Sequence, residues 1–140
     1  MTRLTKALCI GLAMIGTGLR AQDTSGHLSV ELNAAQDQEG ACKLSFLVQN
    51  SHAADVEKAV FETVIFDAEG QVNRLTLFDF GLLPAGRPRV RQFVIPGTPC
   101  DQIGRILFNG AKTCDGAGLP ASACSSGLGL TTRTGIEVLG

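Results

Sequence analysis

"GACKLSFLVQNS", Gly40 to Ser51, decides how the rest of the chain is read. Cys42, Leu44, Phe46 and Val48 fall at alternate positions, with Lys43, Ser45 and Gln49 between them. A side-chain period of two belongs to a β-strand that buries one face and wets the other. The neighbouring runs repeat the pattern. "HLSVELN" (27–33) places Leu28, Val30 and Leu32 on one face. "AVFETVIFDAEGQVNRLTLFDF" (59–80) reads as a hairpin, with Gly70 of "DAEG" where a turn needs positive φ.

"RVRQFVI" (89–95), bounded by Pro88 and Pro96, "IGRILFNG" (103–110) and "GLTTRTGIEVL" (129–139) complete the series. Only "SHAADVEKA" (51–59) and "LPASACSSGL" (119–128) hint at a helical turn. Short strands at regular spacing without helical interludes predict an all-β fold. The expectation is an immunoglobulin-like antiparallel β-sandwich of about seven strands. Seven phenylalanines supply the aromatic core, and no Trp or Tyr is present. An antibody-type domain packs a Trp on its disulfide, so that subclass is disfavoured.

The first residues carry a different signal. "MTRLTK" is positive, "ALCIGLAMIGTG" is apolar, and "LRA" ends in a small residue. This is the layout of a secretory signal peptide, residues 1–21, cut after Ala21. The apolar run is shorter than the ~20 residues of a spanning helix. Residues 22–140 then form a single β-sandwich domain, with "QDTSG" (22–26) as its leader and no stable membrane insertion expected. Loss of Arg3, Lys6 and Arg20 leaves nine basic residues against 13 acidic ones, a net charge of −4. That is the wrong sign for a general nucleic-acid binder.

Cys42, Cys100, Cys114 and Cys124 remain in the mature chain, separated by 58, 14 and 10 residues. An even count in a small exported chain reads as two disulfides, and no close C-x-x-C pair favours zinc. In the expected topology the second and fifth strands are antiparallel neighbours. The start of the second, at Cys42, then lies beside Cys100, just past the end of the fifth. Cys114 and Cys124 fall in the loop between the sixth and seventh strands, at the opposite end. Pairing Cys100 with Cys114 would join two ends of one strand about 25 Å long, far beyond disulfide reach.

"LPAGRPRVRQFVIPGTPC" (83–100) holds the densest positive charge, with Arg87, Arg89 and Arg91 at every second position. Strict alternation would put these arginines on one face with Phe93 and Ile95. A bulge at Arg91–Gln92 would instead bring Val90, Phe93 and Ile95 inward together. Two readings of the charge stand side by side. One is protection of an edge strand or strand entry; the other is a docking patch for an acidic protein or lipid headgroup.

Catalytic, cofactor-binding and metal-binding residues are not predicted. His27 and His52 lie outside any motif and read as solvated loop residues. Ser125 and Ser126 lack a nucleophile elbow. Asp67 and Glu69 sit in a turn without calcium-loop spacing. "CDGAGLPASAC" (114–124) has no Lys-Ser/Thr of a phosphate loop.

"CKLSFLVQN", "LPAGRPRVRQFVIPG", "CDQIGRILFNG" and the trailing cysteines with "SSG" together resemble a family of small, exported bacterial proteins of uncharacterised activity. Some members carry signal-sequence domain labels, and the likeness covers most of the mature chain. It implies export to the periplasm and an immunoglobulin-like sandwich. It also implies an envelope partner, through gene neighbourhoods encoding TonB/ExbB-type proton channels. The expected function is a non-enzymatic periplasmic binding or accessory module, without cofactor, acting through Arg87, Arg89 and Arg91. The alternatives are a protease inhibitor built on the loop stapled by Cys114 and Cys124 and, last, an enzyme.

Overall fold

Glu39 and Gly40 both hold positive φ, 50° and 80°, the geometry of a two-residue turn whose twist suits the strands it joins. They connect β1 (Leu28–Gln38) to β2 (Ala41–Asn50), which pair antiparallel. The structure, a computed structural model, describes residues 25–140. The expected signal peptide and the first residues of the leader lie outside the described residues. β3 (Val56–Asp67) and β4 (Val72–Leu83) form the predicted hairpin. Gly70 holds φ 85° at its turn. Asp67 Oδ1 accepts the Glu69 and Gln71 amides there, at 3.0 and 2.8 Å.

β5 (Arg89–Ile95), β6 (Ile103–Asp115), β7 (Gly129–Thr132) and β8 (Glu137–Leu139) complete two four-stranded sheets. One runs β5-β2-β1-β7, the other β4-β3-β6-β8. The all-β sandwich is as the alternation predicts, and β2 and β5 are antiparallel neighbours. The closing segment differs in detail. Instead of one seventh strand it forms two short ones, and the chain crosses from one sheet to the other at residues 133–136. Each pairs parallel, β7 with β1 and β8 with β6.

Strand faces explain the core. Leu28, Val30 and Leu32 of β1 meet Leu44, Phe46 and Val48 of β2, all at most 1% exposed. From the other sheet come Phe61, Ile65, Phe78, Phe80, Ile106 and Phe108. Six of the seven phenylalanines join one ring cluster around Phe46. Phe66 instead faces outward, with the Arg105 guanidinium 5.8 Å above its ring. β1 outlasts its predicted end because a register shift between Leu32 and Ala34 interrupts the alternation, not the strand.

Both predicted disulfides are present. Cys42–Cys100 has a Cα separation of 4.7 Å and Cys114–Cys124 one of 5.9 Å. They lie near opposite ends of β6, although Cys114 belongs to the strand itself, opposite Ala59, and not to the loop. Ala121–Cys124 forms the 3-10 turn hinted at by its sequence. The other helical hint fails. At 51–55 the chain bends around the buried side chain of Asn50, which donates to Leu83 O and Ala54 O and accepts from the His52 amide. A side chain that satisfies backbone groups locally competes with helix formation, and β3 begins at Val56.

Candidate functional site: the open edge of the sandwich

β5 and β4 are each the last strand of their sheet, and they flank the same side of the sandwich. The expected bulge at Arg91–Gln92 does not form: β5 pairs with β2 in unbroken register from Arg89↔Val48 to Ile95↔Cys42. Strict alternation therefore holds. Arg89, Arg91, Phe93 and Ile95 share the face toward the other sheet, while Val90 and Val94 point outward at 59% and 50% exposure. The conflict between charge and core is resolved by position. At a sandwich edge an inward-facing side chain meets the backbone of the opposite edge strand before it meets the core.

Arg91 uses this position. β4 is irregular near its end: Val60 pairs with Asp79 and Ala59 with Gly81, which leaves Phe80 without a ladder partner. Leu82 is skipped likewise, between Gly81 and Leu83. The Arg91 guanidinium donates Nε–H to Phe80 O at 2.7 Å and Nη2–H to Leu82 O at 2.8 Å. A planar fork fits two such carbonyls, as a lysine ammonium does not. Arg74 of β4 reaches back the other way, donating to Pro96 O at 2.8 Å and Thr98 Oγ1 at 3.2 Å. Between these two latches Phe78 and Phe93 stack with centroids 4.3 Å apart and planes 10° from parallel.

Arg89 donates to Pro88 O, and Arg91 also to Val90 O. Arg87 is exposed in the turn before β5. Arg74, Arg87, Arg89 and Arg91 thus line one edge, and none has an acidic partner among the described residues. The ion pairs seen among the described residues lie elsewhere or use other bases: Lys58–Asp79, Arg105–Glu137 and Arg133–Glu31.

The same edge collects the exposed apolar side chains. Among the described residues, the large hydrophobics left in water are Val72, Leu75, Leu77 and Leu82 of β4 with Val90 and Val94 of β5. They form two strips on opposite outer faces, Leu75 and Leu77 on one and Val90 and Val94 on the other, and an apolar strip along an edge strand is a place for a partner to pack. Sequence reasoning missed Arg74, Leu75 and Leu77. Their signal lay in "RLTLFDF" (74–80), where the outward positions opposite Phe78 and Phe80 hold leucine before they hold Asp79.

Other groups serve the scaffold. Ser51 Oγ lies 3.2 Å from His27 Nδ1, donates to His27 O and accepts its amide, so it clips two strand ends together. His52 is not the solvated residue expected: it is part-buried, with Nε2 2.8 Å from Ala123 O. The segment stapled by Cys114–Cys124 packs Ala123 and Cys124 into the interior. Among the described residues, no three His, Cys, Asp or Glu side chains converge as a metal-binding group, and no helix is long and apolar enough to cross a membrane. No family model matches the chain, and no curated protein matches it.

Proposed function

We propose that this protein is a non-enzymatic binding or accessory module of the bacterial periplasm that docks an envelope protein on its β4–β5 edge. One observation carries the reading: among the described residues, the large apolar side chains left exposed all belong to those two edge strands. The signal-like N-terminus and the two disulfides support export to an oxidising compartment. The resemblance noted in the sequence makes a TonB/ExbB-type complex the first partner to examine. Of the three arginines singled out from the sequence, Arg87 and Arg89 remain available as rim charges. Arg91 acts mainly on the β4 backbone.

Crosslinking with mass spectrometry in the native envelope tests the proposal. The expected result is a discrete crosslinked species that disappears in the Leu75→Ser, Leu77→Ser, Val94→Ser triple variant and persists in Lys112→Ala. Identical crosslinks in all three proteins would remove the edge as a docking surface.

A further inference from the structure

Taking the β4–β5 edge as the docking surface, we infer that its occupant is an extended segment of alternating apolar and acidic residues, added as a new strand to β4 over Arg74–Asp79. The first support is the state of the backbone along the edge. Arginine side chains cap the carbonyls of Phe80, Leu82, Pro88, Val90 and Pro96. Such capping blunts an edge against pairing. The run Arg74–Asp79 is different: it is in regular register with β3 from Ile65↔Arg74 to Val60↔Asp79, and no strand among the described residues pairs with its other side.

The orientation of that run follows from one hydrogen bond. Thr63 Oγ1 donates to Thr76 O at 3.0 Å, so the Thr76 carbonyl faces β3. In an antiparallel ladder the main-chain groups of successive residues face opposite sides. Leu75, Leu77 and Asp79 therefore present their N–H and C=O groups to the free edge. These are the groups that strand addition uses for affinity, while alternate side chains set specificity.

Side-chain chemistry selects the occupant. On the outward face an added strand lies beside Leu75 and Leu77, 62% and 49% exposed, and covers them best with apolar residues. On the inward face its alternate residues approach the Arg74 and Arg91 side, where the guanidiniums bond neutral carbonyls and no carboxylate among the described residues. Asp79, the only acid on β4 or β5, is matched by Lys58 at 3.8 Å. Acidic residues at those alternate positions supply the missing charge. A second copy of this chain does not: edge-to-edge pairing would set four unmatched arginines against four more, and like charges across an interface oppose association.

Amide exchange measured residue by residue on the full-length mature protein tests this. The probes are a short peptide alternating valine and glutamate, one alternating valine and lysine, and phosphatidylglycerol vesicles. With the acidic peptide, the Leu75 and Leu77 amides are expected to slow about tenfold or more. With the basic peptide they should not change. Leu77→Pro deletes an edge-facing N–H without cutting the β3 ladder and should abolish the slowing. Leu77→Asp, which keeps the backbone donor but adds a repelling charge, should weaken it.

Slowing by both peptides alike, slowing confined to β5, or binding to vesicles while the β4 amides stay unprotected would each overturn strand addition. So would an unchanged effect in Leu77→Pro. If none of the probes protects β4 yet the Leu75, Leu77, Val94 variant still loses its crosslinks, the docking surface stands and only the strand-addition mode falls.

Discussion

The two flanks of this sandwich use their arginines differently. Where β7 and β8 end the sheets, the chain itself crosses from one sheet to the other, Ile136 at the end of that crossing is 5% exposed, and Gly140 lies against Leu130. The outer strands there are tied by ion pairs, Glu31–Arg133 at 2.9 Å and Arg105–Glu137 at 3.3 Å. Where β4 and β5 end the sheets the chain also crosses, at residues 84–88, but only at one end of the two strands. That flank is shut by an aromatic stack and two arginine latches, whose charge is left unmatched. The β7–β8 flank pairs its arginines with carboxylates; the β4–β5 flank keeps Arg74 and Arg91 for carbonyls and so remains electropositive.

The contrast can be broken most forcefully at its aromatic centre. Phe78→Ala removes the ring that stacks on Phe93 and is expected to cost about 3–5 kcal/mol in denaturant unfolding with disulfides intact. On the other flank Ile136→Ala should cost less, about 2–3 kcal/mol, because the site is peripheral and free to collapse. Equal losses would mean that the two closures carry the same weight. Arg91→Ala strands two carbonyls at a partly wetted edge, an expected loss of about 1–2 kcal/mol. Arg91→Lys should recover only part of that, since an ammonium cannot span both oxygens; full recovery would show that charge, not the fork, matters.

The smallest effect concerns pH. Hydrogen bonds from Asn33, then Arg133, hold the Glu31 carboxyl below the usual glutamate range. A depressed folded-state value means the contribution is complete above about pH 4.3 and fades as pH falls through the lowered value. Comparing the acid limbs of unfolding for the native chain and Glu31→Gln should show the two converging in acid. A gap that widened there would reverse the sign.

Alternation in "CKLSFLVQN" was enough to place β2, and the β2–β5 neighbourhood of the expected immunoglobulin-like strand order gave the correct partner for Cys42. Those features depend on local period and chain order, both of which are written in one dimension. The edge was less legible. Arg91 looked like a misplaced core residue until β4 stood opposite it with two unpaired carbonyls, and those exist only because of irregularities at Phe80 and Leu82. Nothing within "RVRQFVI" encodes an irregularity in another strand. Leu75 and Leu77 were readable as outward-facing, but their exposure depends on β4 being terminal in its sheet. The split into β7 and β8 was hidden for a similar reason, since a four-residue crossing resembles any turn in a strand-rich tail.

The Cys42–Cys100 bond has a mechanical consequence. It encloses a span of 58 residues that contains nearly all of β2 and the whole of β3, β4 and β5. A load applied between the two ends of the domain travels through β1, across the sulfur bridge, and onward into β6. The segment that carries both arginine latches and the free β4 edge hangs off that line of force and cannot be paid out by pulling. Under tension that segment keeps its shape while β1 and β6 bear the load.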